Sequence, residues 1–186
     1  MTSPWVLPRR AEFDGCGYDI NGDFRDVLEI MQYLQDPALP EFIRWQVALA
    51  LFYGQPIPEA HTAQALEYLN YFLRGGEPES QPGPRLLDWQ QDAPMIIADI
   101  NQVAGREIRG PQKIHWWTFL SWFHAIGQGQ LSTVVSIRDK LRRGKKLEGW
   151  ERDFYRENKS RVELKKRYSP QEIEQQQRLN ALLDGK

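Results

Sequence analysis

Cysteine is almost absent from this chain. Cys16 stands alone among 186 residues, which excludes an intrachain disulfide and a cysteine-built zinc site. Histidine is scarce as well, with three. His115 and His124 are nine positions apart, about 180° round a helix, so they cannot chelate one ion, and no HExxH string occurs. Glycine loops of the phosphate-cradling kind are missing. Gly127-Gln128-Gly129 reads as a helix-ending turn, and Ser121, Ser132 and Ser136 lie in helical patterns without a nucleophile elbow. Asp19, Asn21 and Asp23 imitate the first ligands of a calcium loop, but Phe24 stands where glycine is required and Ile30 where the bidentate glutamate belongs. No apolar run approaches the ~18 residues of a membrane span. Met1 to Trp5 lacks the basic and apolar regions of a secretion signal, so folding in a cytoplasm is expected. The sequence predicts no catalytic residues, no cofactor and no metal.

What is present is charge, unevenly spread. The formal net charge is −1, yet residues 1–93 carry 6 Lys/Arg against 14 Asp/Glu, and residues 94–186 carry 18 against 11. The halves are therefore −8 and +7. Arg138–Tyr168 alone holds 13 basic and 6 acidic residues. Any partner is to be read from that segment, since the near-neutral total says little.

Period and punctuation predict a mainly α fold, a compact bundle of about seven to eight helices with a short N-terminal β-hairpin. Glu12–Asp14 and Tyr18–Ile20 flank Gly15-Cys16-Gly17, which supplies the hairpin turn. Phe24, Val27, Leu28, Met31 and Leu34 mark one buried face of a first helix, with Asn21 or Asp23 as cap. Pro40 opens a second helix, apolar on more than one side and so central. A third begins near Pro58 and ends at Gly75-Gly76. A fourth starts at Ala93 with Asp92 as cap and Pro94 in its first turn. Ile114–Ile126 is apolar nearly all round and reads as the core helix of the second half. A sixth helix runs from about Ser132 to Arg142 and a seventh from about Gly149 to Tyr168. Ser169-Pro170-Gln171-Glu172 is a capping box that opens an eighth. Residues 1–168 read as one helical domain. A division into lobes 1–76 and 85–168 across the Pro/Gly/Ser linker 77–84 stays open, and 169–186 forms a helical tail.

Arg138, Arg142, Arg143, Lys145, Lys146, Arg152 and Arg156 are the candidate binding residues. Such a stripe could neutralise phosphates. Acidic residues are interspersed, however, and Glu148/Arg152 and Glu157/Arg161 fall at the spacing that supports an exposed helix. Three readings stand: a solvated helical face, then a docking surface for an acidic protein segment, then nucleic acid. The acidic first half could also meet this segment, within the chain or between copies. Trp116, Trp117 and Trp122 read as core before ligand box.

Several strings occur in order. Tyr18-Asp19-Ile20-Asn21-Gly22-Asp23-Phe24-Arg25 comes first, then Asp36-Pro37 and Phe72-Leu73-Arg74-Gly75-Gly76. Leu87-Asp88-Trp89-Gln90-Gln91-Asp92-Ala93 follows, then Ile114-His115-Trp116-Trp117-Thr118-Phe119, Ile137-Arg138 and Leu164-Lys165-Lys166-Arg167-Tyr168. This order resembles the bacteriophage gene-product-fifteen family, from about Glu12 to Tyr168. Its most specific pieces are Asn21, Asp23, Phe24 and Arg25, and His115, Trp116 and Trp117. The resemblance implies a tail assembly chaperone acting in the host bacterial cytoplasm and not expected in the finished particle. Its partners would be the tape-measure protein, the tail-tube protein or both. It implies no catalytic residues, and a homo-oligomer is left open.

Overall fold

Two aromatic residues set the loop of the opening hairpin. Strands β1 (Arg10–Phe13) and β2 (Cys16–Asp19) pair antiparallel with Ala11 opposite Tyr18 and Phe13 opposite Cys16. The turn is Asp14-Gly15, both with positive φ (49° and 80°), as a two-residue hairpin loop of the mirror type requires. This corrects the expected three-residue turn at 15–17. A turn there would have paired Phe13 with Asp19 and sent Tyr18 to the opposite face. The observed register buries Ala11, Phe13 and Tyr18 together.

The computed structural model describes residues 5–79, 81 and 83–184, with the backbone alone at 176 and 179–184. Met1 to Pro4, Ser80 and Pro82 of the expected linker, the last two residues of the tail, and the side chains of Leu179, Ala181, Leu182 and Leu183 lie outside the described residues. Among the described residues the fold is mainly α, with nine α-helices and the one hairpin. The chain divides into two compact units, residues 1–76 with 166–186, and residues 77–165.

In the first unit, α1 (Phe24–Leu34) and α2 (Glu41–Tyr53) form a helical pair, followed by a 3-10 turn (Glu59–His61) and α3 (Thr62–Leu73). The burial centre of α1 is Phe24, Val27 and Ile30, so Leu28, Met31 and Leu34 flank it rather than form it. Helix α2 buries only Ala48, Phe52 and Tyr53, and Phe42 in its first turn is 64% exposed. The all-round apolar sequence is therefore fully buried at three positions only, with Ile43, Trp45, Val47, Leu49 and Leu51 half-buried. Phe13, Tyr18, Phe52, Tyr53 and Phe72 interlock as an aromatic core, with centroids 4.8–6.2 Å apart along the chain of contacts. Such edge-on and tilted pairs add to simple burial. Residues 166–184 belong to this unit and end in α9 (Pro170–Asp184). Its box is formed as predicted: Glu172 accepts from the Ser169 N–H at 2.7 Å, and Ser169 accepts from the Glu172 N–H at 3.3 Å.

The second unit holds α4 (Ala93–Ala104), α5 (Trp116–His124), α6 (Gln130–Arg142), α7 (Gly149–Glu157) and α8 (Lys159–Val162). Helix α4 starts at Ala93 with Pro94 in its first turn, as read from the sequence, but the Asp92 side chain does not cap it: its carboxylate is taken by Arg138. Helix α5 fully buries Trp116 and Phe119, with its other apolar side chains half-buried. The expected seventh helix is two, which raises the helix total. Asn158 interrupts it at φ −117°, ψ 29°. After Val162 the chain leaves the helix because other groups take its backbone bonds. Arg138 donates to the Arg161 and Val162 carbonyls (both 2.7 Å), Gln91 Nε2 donates to the Glu163 carbonyl (2.8 Å), and the Lys165 N–H donates to Gln91 Oε1 (2.9 Å).

Candidate functional site

The two most specific strings turn out to be one local device used twice. Asp23 caps α1, its Oδ1 accepting from the Arg25 N–H at 3.0 Å, and His115 caps α5, its Nδ1 accepting from the Trp117 N–H at 3.1 Å. Both caps have extended backbone, φ/ψ −68°/136° and −63°/140°. In each string the next residue, Phe24 or Trp116, is buried. Capping satisfies an N–H the helix cannot. An accepting Nδ1 places the His115 ring proton on Nε2. Arg25 returns to Asp23 through Nε (2.8 Å) and Nη2 (3.0 Å), which holds the Arg25 pKa above its ordinary value. Asn21 ties the hairpin exit to the end of α2: its N–H donates to the Phe52 carbonyl at 2.7 Å and its Nδ2 to the Leu51 carbonyl at 2.6 Å.

Beside the hairpin, Tyr18 Oη lies 2.6 Å from His61 Nδ1, and His61 Nε2 lies 3.7 Å from Asp14 Oδ2. The order carboxylate, imidazole, phenol looks like a relay. Tyr18 is buried, however, and burial raises its pKa. It joins strand to turn and offers no exposed nucleophile. Tyr53, raised further by burial, donates to the Ala65 carbonyl at 2.8 Å.

In the second unit, Arg138 is buried and spends all five of its N–H donors. Two form a fork on Asp92 (2.6 and 2.8 Å), and three go to the carbonyls of Leu86 (2.9 Å), Arg161 and Val162 (both 2.7 Å). Asp92 Oδ2 also accepts from the Asp88 N–H at 2.9 Å. Asp88 Oδ1 in turn accepts from the N–H groups of Gln90 and Gln91, both at 3.0 Å, and its other oxygen pairs with Arg85. Arg138 is therefore a staple joining α6, the segment before α4 and the end of α8, and it leaves the stripe of candidate surface residues. The signal was available: Leu131, Val134 and Arg138 fall at i, i+3 and i+7 on one face of α6, and the first two are buried.

Lys140, in the same basic segment, is paired internally, with Nζ 2.6 Å from Oε1 of the buried Glu151. That contact lowers the Glu151 pKa and raises that of Lys140. Arg156 pairs with Asp153 at 3.1 Å. What the structure does bring together is the corner where α6 meets α7. Arg142 (3.0 Å) and Arg143 (2.8 Å) share the single carboxylate of Asp139. Lys145, Lys146 and Arg152 are exposed, with no carboxylate within 4 Å among the described residues. Trp150, in the first turn of α7, stands 57% exposed at this corner. Among the described residues no group of three or more His, Cys, Asp and Glu could hold a metal, and no helix is long and apolar enough to cross a membrane.

The family model described as Bacteriophage Gp15 protein matches residues 6–164, and the chain belongs to that family. No curated protein and no solved structure matches it.

Proposed function

We propose that this Gp15-family phage protein is a non-catalytic tail assembly chaperone. It holds the tape-measure protein, the tail-tube protein or both in the host bacterial cytoplasm, and it is left out of the finished particle. One observation carries the reading: within the matched span, the polar residues of the most specific strings, and the buried Arg138, are engaged in holding the fold. Asn21, Asp23, Arg25, His115 and Arg138 serve as ties, caps and staples. What remains for function is surface, which suits a protein that binds reversibly. Co-expression of the full chain with the tape-measure and tail-tube proteins of the same phage, followed by capture through a tag, tests the proposal. Co-purification and a larger soluble tape-measure fraction are expected. Capture of neither protein with unchanged solubility overturns it.

A nucleic-acid module on residues 138–167 is the second reading, and the exposed Lys145, Lys146 and Arg152 favour it. The burial of Arg138 and the pairing of Lys140 with Glu151 shorten the stripe on which it relies. A gel-shift series across salt decides it, because phosphate contacts weaken steeply as salt rises.

A further inference from the structure

We infer that the α6–α7 corner is the client-binding face, and that it takes an acidic helical protein segment bearing one large apolar side chain. The inference rests on the chaperone reading and adds the place and the chemistry of contact. The cations here outnumber their internal partners. Arg142 and Arg143 divide one carboxylate, while Lys145 and Lys146 have none within 4 Å among the described residues. Gly144 turns the chain at φ 64° between the two pairs, which keeps the four cations on one short turn. Arg152, on the first turns of α7, adds a fifth. An apolar anchor lies next to them in the chain. Trp150, two residues before Arg152 on α7, donates Nε1–H to Glu148 Oε2 at 3.2 Å, which uses the polar edge of the indole, and the residue is 57% exposed. Tryptophan and arginine are the residue types that dominate binding energy at protein interfaces.

The same features could suit a nucleic acid, with a base stacked on Trp150. The carboxylates argue against it. Glu148 sits at the indole edge and Asp153 lies one turn of α7 along, both largely exposed. A continuous phosphate chain passing over Trp150 would run beside both. A helix with separate carboxylates can place them against the cations and keep clear of these two.

The test compares four full-length proteins in capture of the co-expressed tape-measure and tail-tube proteins: the natural chain, K145E/K146E, W150A and the charge-matched control K165E/K166E. Each is also offered fluorescent single-stranded and duplex DNA of twenty nucleotides. Both corner variants should lose capture about tenfold or more, with unchanged thermal melting, while the control binds as the natural chain does. Loss confined to low salt for K145E/K146E fits the charge contacts. Equal capture by K145E/K146E, W150A and the control overturns the inference and leaves the chaperone reading standing. No capture by the natural chain overturns that reading instead. DNA binding abolished in K145E/K146E while client capture persists reassigns the corner to nucleic acid and also overturns the inference.

Discussion

Asp92 and Arg138 lie 46 residues apart and face each other through two parallel bonds of 2.6 and 2.8 Å, both side chains out of solvent. A planar guanidinium on a carboxylate is the strongest geometry available to such a pair. Because the remaining donors of Arg138 reach three backbone carbonyls, the pair leaves no buried polar edge unmatched. Breaking one side would strand the other. Arg138→Ala should cost about 3–5 kcal/mol. Arg138→Lys should also destabilise, since an ammonium cannot reproduce the fork. Arg142→Ala, at the exposed corner, should stay within about 0.5 kcal/mol. Urea unfolding followed by tryptophan fluorescence reads all three. An Arg138→Ala protein as stable as the natural one would mean that the staple is not formed.

The paired caps make a second prediction. Asp23→Ala and His115→Ala should each cost about 1 kcal/mol, and Asp23→Ser should recover most of its share because a hydroxyl also accepts from the helix N–H. Far-UV circular dichroism during urea unfolding measures this. Unchanged midpoints in both alanine variants would show that neither side chain caps its helix.

Two hairpin glycines should respond differently to the same change. A Cβ at Gly15 meets nothing within 4 Å, but its φ of +80° is left-handed. Gly15→Ala therefore costs about 1–2 kcal/mol in backbone strain alone. A Cβ at Gly17 meets Arg10 Nη2 at 2.9 Å, the far end of an exposed, flexible side chain that can swing away. Gly17→Ala should fall within about 0.5 kcal/mol. Thermal melting of the two variants ranks them, and a larger loss for Gly17→Ala would contradict the register.

Acid should release one loop of the second unit late, only at the acid end of the carboxylate range. Glu107 accepts from the Arg109 side chain and N–H and from Asn101, and these bonds hold its pKa down at about 2. A carboxyl lowered on folding contributes stability that is present above its unfolded value and lost as pH falls through the folded one. The window therefore runs from the ordinary carboxylate value of 4.5 down to about 2. A carboxyl NMR titration should place the Glu107 midpoint near the bottom of that window. Glu107→Gln should abolish the accompanying shift of the neighbouring Ile108 amide, whose N–H is held by Asn101 at 2.9 Å. A Glu107 midpoint at the ordinary value would remove the bonds from the account.

Much of the fold could be read from the chain because it is local. Positive-φ glycines end α2 and α4 at Gly54 and Gly105, Pro94 falls in the first turn of α4, and the Ser169–Glu172 box opens α9. Each depends on residues within a turn of one another. The candidate surface was only partly legible. Arg142, Arg143, Lys145, Lys146 and Arg152 are exposed, whereas Arg138, read as one of the same stripe, is buried.

By itself the sequence determined the helical class, the Ser169–Glu172 capping box and the local charge excess, since period, punctuation and net charge are properties of short windows. Only the tertiary structure decided which charges remain at the surface. Arg138 and Arg142 are equally basic and one helical turn apart. One finds Asp92 and three carbonyls from distant segments, and the other finds Asp139 three positions back on its own helix. Burial of a charge is stable only where enough partners converge, and convergence across 46 residues of chain is a property of the folded unit.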